Sequence, residues 1–193
     1  VGQIWIGVEG GNFYLRGQQG GEGAKTVTFE RSDKEMPLFR ISGLEQTDGV
    51  VLPWAIPHFY IQPSLKTPLI FDCSNDLLFD AGCPFDPSRR DDVAGKSLQR
   101  VTLETGFILN IPKGARVVFD GTNAGNRDGD TQRGNVTFRF YSNAFVGEGT
   151  VDYNGPSSVC FTPDASDFNG VFDLTHMNKY DSFGIGDRGG GIY

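Results

Sequence analysis

The chain has 193 residues, with 24 acidic and 17 basic side chains and a formal net charge of −7 at pH 7. This balance, with no basic cluster longer than Arg89-Arg90, argues against direct nucleic-acid binding. No apolar run approaches the ~20 residues of a membrane-spanning helix, so no membrane span is predicted. Counts of 27 Gly, 10 Pro and 16 Phe indicate short strands and many turns around an aromatic core.

The N-terminal part alternates in the manner of strands. Gln3–Val8 and Asn12–Arg16 are apolar runs separated by Glu9-Gly10-Gly11, which predicts an opening hairpin. In Lys25–Arg31, Val27 and Phe29 alternate with polar residues, as in a strand with one solvated face.

Proline shapes the prediction for the next part of the chain. Strands are predicted over 37–44 and 50–61, the second at a sheet edge or bulge because prolines interrupt it. From Thr67 to Leu98 the pattern loosens, which predicts a long irregular excursion. Asp86-Pro87 can begin a short helix there.

The centre of the chain gives the clearest strand pattern. Runs at 99–104, 107–120 and 136–141 alternate, and Pro112 and Gly114 predict that residues 107–119 fold back as a hairpin. Short strands follow at 145–146, 150–153, 159–161 and 171–174, with one helical turn predicted between Thr162 and Gly170. The segment 181–193 contains five glycines and is predicted to be a flexible tail.

These patterns predict an all-β fold in a single domain over residues 1–193. Many short strands with Gly/Pro turns favour an antiparallel β-sandwich of jelly-roll type, with one or two short helical turns. No internal repeat is visible in the sequence.

The three cysteines leave two interpretations open. Cys73 and Cys83 can close one loop as a disulfide, with Cys160 left as a thiol in a buried run. The alternative is three buried thiols packed as small hydrophobic side chains.

The sequence contains no strong catalytic pattern. His58 and His176 are the only histidines, and no Gly-x-Ser-x-Gly motif presents a nucleophile. Glu104, Glu148 and Asp152 are the strand-borne carboxylates from which a glycoside hydrolase could draw a pair. The sequence therefore favours a protein that is not an enzyme, with glycoside hydrolysis as a weaker alternative.

Two further groups of residues suggest ligands. Asn126, Asp128 and Asp130 have the one, three, five spacing of a calcium loop, although the glycine and glutamate of such loops are misplaced or missing. Calcium is thus the one cofactor to consider, and a solvated acidic turn is the alternative. Trp54, Phe59 and Tyr60 could stack on sugar rings, which gives a carbohydrate-binding module or lectin-like domain as the second functional hypothesis.

The first functional hypothesis is a structural subunit, of coat or capsid type, in an extracellular or virion assembly. It predicts contacts with copies of the chain or with other assembly subunits. These contacts are expected at the apolar chain ends, through Ile4, Trp5, Ile6, Phe183, Ile192 and Tyr193.

Overall fold

The computed structural model describes residues 2–8, 12–16, 22–43, 58–63, 66–81, 99–103, 106–121, 136–140, 144–154, 157–161, 167–177 and 182–185. These ranges contain sixteen strands and no helix. In chain order the strands are β1 (Gln3–Val8), β2 (Asn12–Arg16), β3 (Lys25–Thr28), β4 (Leu38–Gly43), β5 (His58–Gln62), β6 (Leu69–Asp72), β7 (Leu77–Ala81), β8 (Gln99–Leu103), β9 (Phe107–Ile111), β10 (Arg116–Asp120), β11 (Val136–Phe140), β12 (Phe145–Gly147), β13 (Thr150–Asn154), β14 (Ser157–Phe161), β15 (Val171–Asp173) and β16 (Ser182–Ile185).

The strands form three sheets in which every pairing is parallel. Sheet A has the order β1-β4-β7-β10-β13-β15, sheet B the order β2-β5-β8-β11-β14-β16, and sheet C the order β3-β6-β9-β12. Successive strands therefore lie in sheets A, B and C in turn. Each strand pairs with the strand of the same sheet that lies one circuit earlier in the chain. This is a three-sided parallel β-solenoid, and each circuit is called a coil below. The first coil is β1, β2 and β3, and the last coil is β15 and β16.

The predicted antiparallel β-sandwich of jelly-roll type is therefore wrong, and so are both predicted hairpins. Strands β1 and β2 lie in different sheets, as do β9 and β10. The turn between β9 and β10 contains Pro112 and Gly114, as a hairpin turn would, and the Ala115 amide donates to the Pro112 carbonyl at 3.0 Å. Here the turn makes a corner between sheets C and A, because both arms pair with strands from other coils.

Several smaller predictions also change. Strands β6 and β7 lie within the segment predicted to be irregular, and β16 lies within the predicted flexible tail. The predicted helical turn at 86–95 falls outside the described residues, and so do residues 162–166 of the turn predicted between Thr162 and Gly170. Residues 167–170 are described and are not helical. The strand predictions at β1, β2 and β9 match the structure, since strand alternation is a local property of the sequence.

The core lies inside the solenoid and is mostly aromatic. Inward side chains stack from coil to coil in register, and one stack defines an axial column of Phe39, Phe79, Phe119 and Tyr153. Successive ring centroids along the column are 5.1, 5.0 and 5.4 Å apart. All four side chains are at most 1% exposed. Ile4 continues the column into the first coil, where burial is only partial.

Candidate functional site

The first coil differs from the coils beneath it in the burial of its inward side chains. Ile4, Ile6, Leu15 and Val27 are only partly buried, although each packs against the core. Their register partners in the second coil, Phe39, Ile41, Ile61 and Phe71, are at most 1% exposed. Among the described residues, no strand pairs with the sides of β1, β2 and β3 that face away from the second coil. These sides are called the open edge.

The large hydrophobic side chains that are most exposed also lie at the two ends of the solenoid. Within the described ranges they are Trp5 and Tyr14 in the first coil and Val171 in the last, at 64%, 39% and 59% exposure. Apolar surface of this kind often marks a contact with another molecule. The ends of the solenoid are thus its candidate interaction surfaces.

Polar contacts hold the outer side of Trp5. Arg40, its register partner, places its guanidinium 4.9 Å from the Trp5 ring centroid and donates from Nε to Asp80 Oδ2 at 2.6 Å. The Asp80 side chain is only 6% exposed. A desolvated carboxylate paired with a guanidinium fixes Arg40, so Trp5 has a defined orientation even though it is exposed.

A second polar cluster lies on sheet A near the last coil. Asp152 is 4% exposed, with Oδ1 3.1 Å from His176 Nδ1 and Oδ2 3.4 Å from an Arg116 terminal nitrogen. Ligand-type atoms of Asp152, Asp173 and His176 all lie within 4.8 Å of one another. Hydrogen bonds from the Thr175 hydroxyl and amide lower the pKa of Asp173. Oxygen and imidazole donors could ligate a divalent cation, but Arg116 already supplies positive charge to Asp152. The contacts are those of an ion-pair network.

This cluster was only partly anticipated from the sequence. Asp152 was one of the candidate hydrolytic carboxylates, and its partners Arg116 and His176 are distant in sequence. Glu148 lies in the corner between β12 and β13 and not on a strand. The even spacing of Glu148 and Asp152 in the sequence therefore does not place their side chains on one strand face. Glu104 lies outside the described residues. Of the two that the structure describes, Asp152 lies within β13 and Glu148 lies in the corner before it.

Two of the three predicted sugar-stacking residues, Phe59 and Tyr60, lie on opposite faces of β5. Phe59 is a core residue with 0% exposure and cannot stack on a ligand at the surface. Tyr60 faces outward and stacks on Tyr14, with centroids 4.8 Å apart and planes 9° apart. The Arg16 guanidinium lies 4.7 Å from the centroid of the Tyr14 ring. Trp54 lies outside the described residues, so the structure gives no support for a sugar-binding platform made of the predicted residues.

Other predicted site residues also lie outside the described part of the chain. They are Asn126, Asp128 and Asp130 of the calcium hypothesis, Cys83 of the disulfide hypothesis, and Ile192 and Tyr193 of the contact hypothesis. The strand β16 includes Phe183 and pairs it with Val159. The calcium site stays a prediction. The pairing of Cys73 with Cys83 also stays a prediction, although the structure shows Cys73 as a free thiol.

Cys73 is a buried free thiol whose Sγ lies 3.5 Å from the Phe71 carbonyl oxygen, to which it can donate. Burial raises its pKa well above the ordinary range, and the carboxylates of Asp72 and Asp76 act in the same direction. We expect native Cys73 to resist alkylation, because the thiolate is the reacting form. Peptide-resolved mass spectrometry of iodoacetamide adducts, with and without urea, measures this rate.

The same shift predicts a pH dependence of stability. Above the ordinary thiol pKa of about 8.5, the unfolded chain loses the Cys73 proton while the folded chain keeps it, so the free energy of unfolding falls as pH rises. Urea unfolding at pH 7 and pH 9.5 should show a smaller fall in Cys73→Ala than in the wild type. Rapid alkylation of Cys73 in the native chain, or an unchanged pH dependence in Cys73→Ala, would contradict the burial of this thiol.

Comparisons of the chain with protein-family models, with curated proteins and with solved structures found no match in any of the three. Within the described ranges, no helix is long and apolar enough to cross a bilayer. The interpretation of the protein therefore depends on its own geometry. Neither the parallel sheets nor these comparisons give evidence for a capsid or virion protein.

Proposed function

We propose that this protein is a non-enzymatic structural element of an extracellular assembly, and that it contacts other subunits through the ends of its solenoid. The main support is the residue-by-residue difference in burial between the first and second coils. Four inward apolar side chains of the first coil stay partly exposed, whereas their partners one coil away are sealed. Covering them would remove apolar surface from water at about 25 cal/mol per Å².

The geometry of the first coil suits a contact with β structure. Three parallel strands end the three sheets, and each offers backbone N–H and C=O groups along its outer side. An added strand can satisfy such groups, which is how sheet edges bind extended partners. The unpaired backbone groups therefore favour a partner with an extended strand, whereas a flat apolar patch would accept any apolar partner.

The experiment that tests this proposal is the mass of the chain in solution by light scattering after size exclusion, over a hundredfold range of concentration. A subunit should form species larger than one chain, and a monomer throughout this range would contradict the proposal. Trp5→Ala, which removes the most exposed of the large hydrophobic side chains described, should shift the distribution toward monomer. Ile108→Ala, which shortens an outward side chain of β9, a strand of sheet C with a paired neighbour on each side, is the matched control.

A further inference from the structure

The two ends of the solenoid match each other in sheets A and B. Sheets A and B both run from a first-coil strand to a last-coil strand through six strands, all parallel. A strand added beyond β15 or β16 in the same direction would therefore meet the same sheet position that β1 or β2 occupies. Among the described residues, eight of the nine partly buried side chains packed against the core lie at these two ends, and the ninth, Leu69, lies in the second coil. The eight are Ile4, Ile6, Leu15 and Val27 in the first coil, and Phe168, Phe172, Leu174 and Met177 around the last.

The charges of the two ends are complementary. The strands of the first coil contain Arg16 and Lys25, both exposed, and no acidic residue. The strands of the last coil contain Asp173 and no Lys or Arg. Opposite charges favour the approach of unlike ends, whereas two first coils would bring basic residues together.

The edge of β1 is chemically open to an added strand. Proteins commonly protect edge strands with Lys, Pro or inward-pointing charges, and β1 contains no charged residue and no proline. The Leu38 amide donates to the Gly2 carbonyl at 3.2 Å, in the register that pairs Gln3 with Leu38. Because alternate residues of a parallel strand bond to opposite neighbours, the amides of Gln3 and Trp5 point to the open edge.

We propose that the first coil binds the last coil of a second copy, so that copies join head to tail and sheets A and B continue across the junction. This inference rests on the proposed function and names the partner of the same surface. A contact between unlike surfaces does not close on itself, so it produces an open series of oligomers. With six coils per copy, the axial repeat would be about 29 Å, since neighbouring strands are about 4.8 Å apart.

The test compares Gln3→Pro with Gln3→Ala by sedimentation velocity over a range of concentrations, with negative-stain electron microscopy of the largest species. Gln3 is exposed and follows a glycine, and its amide is not bonded to β4, so proline removes an edge donor without breaking the pairing inside the chain. Gln3→Pro should weaken association about tenfold or more, which corresponds to the loss of one hydrogen bond together with the steric block from the ring. Gln3→Ala keeps the donor and should associate like the wild type, and circular dichroism checks that both variants remain folded.

The outcomes separate this inference from the proposed function. An open series of species in the wild type that is lost in Gln3→Pro, or filaments with the calculated repeat, supports head-to-tail joining. A single symmetric dimer, or an assembly that Gln3→Pro leaves unchanged, overturns the inference but keeps the structural role. A wild-type monomer overturns both. Added salt should weaken the association, because the end charges are screened.

Discussion

Replacing Phe119 with alanine is expected to lower the free energy of unfolding by about 3–5 kcal/mol, the usual cost of emptying a large aromatic site in a core. Phe119 is 0% exposed and sits in the middle of the axial column. Its ring centroid lies 5.0 Å from that of Phe79 and 5.4 Å from that of Tyr153 in the same sheet. It also contacts Phe138 and Phe140 of sheet B, at 5.1 and 4.9 Å.

The position of Phe119 explains why the loss should be large. Its aromatic neighbours lie in all three sheets and in three successive coils, so no single strand can move inward to fill the space. In solenoids, stability comes chiefly from contacts between adjacent repeats, and Phe119 contributes to contacts on both sides of its own coil. We therefore expect incomplete relaxation around the cavity, which is the condition that makes such substitutions costly.

Urea unfolding followed by circular dichroism measures this loss. The control is Ile108→Ala, which shortens an outward and partly exposed side chain of β9, and we expect it to cost about 1 kcal/mol or less. Phe119→Leu retains most of the apolar volume and should fall between the two. Equal effects of Phe119→Ala and Ile108→Ala would mean that the axial column does not form in solution.

The strands could be predicted from the sequence because their signal is local. In β9, Phe107, Leu109 and Ile111 alternate with outward residues, and the structure buries all three. The same alternation is produced by parallel and by antiparallel neighbours, so it cannot tell which strand is the partner. Pro112 and Gly114 likewise predict a turn but not its outcome. Whether the turn becomes a hairpin or a corner between two sheets depends on which strands the two arms pair with.

The repeat was hidden by coils of unequal length. The sheet A strands begin at residues 3, 38, 77, 116, 150 and 171, so only the two central intervals are equal and the coils toward both ends are shorter. One signal was available: Phe39, Phe79 and Phe119 occupy equivalent places in three consecutive coils. β16 was missed because Gly184 weakens its apolar pattern, and its register with β14 supplies the pairing that the segment itself does not predict.

The polar contacts of the outer face could not be predicted at all. Arg40 and Asp80 are 40 residues apart in the chain and meet because β4 and β7 are adjacent in sheet A. Asp152 and His176 meet in the same way near the last coil. By contrast, the prediction that apolar residues near the N-terminus contact another subunit was made from Ile4, Trp5 and Ile6 alone. In the structure Trp5 is exposed and the two isoleucines are only partly buried.

Replacing Gly149 with alanine is expected to lower the free energy of unfolding by about 2–3 kcal/mol, through overpacking of a corner between coils. The Gly149 amide donates to the Ile111 carbonyl at 2.9 Å, and the next amide, that of Thr150, donates to the Ala115 carbonyl at 2.9 Å. The corner 148–149 therefore lies directly on the corner 112–115. A Cβ atom on Gly149 would lie 2.6 Å from the Ala115 oxygen and 2.8 Å from the Pro112 oxygen, distances that only movement of the backbone could relieve.

Gly114→Ala is the matched control, because Gly114 belongs to the corner 112–115 but has open space where its Cβ would be. Its φ of +89° still disfavours alanine, at about 1 kcal/mol. Gly149 has no such positive φ, so its larger expected loss comes from space alone. Thermal and urea unfolding of both variants would measure the difference. If Gly149→Ala cost no more than Gly114→Ala, the corners could not be stacked as closely as the backbone hydrogen bonds require, and the coil spacing near sheets A and C would have to be wider.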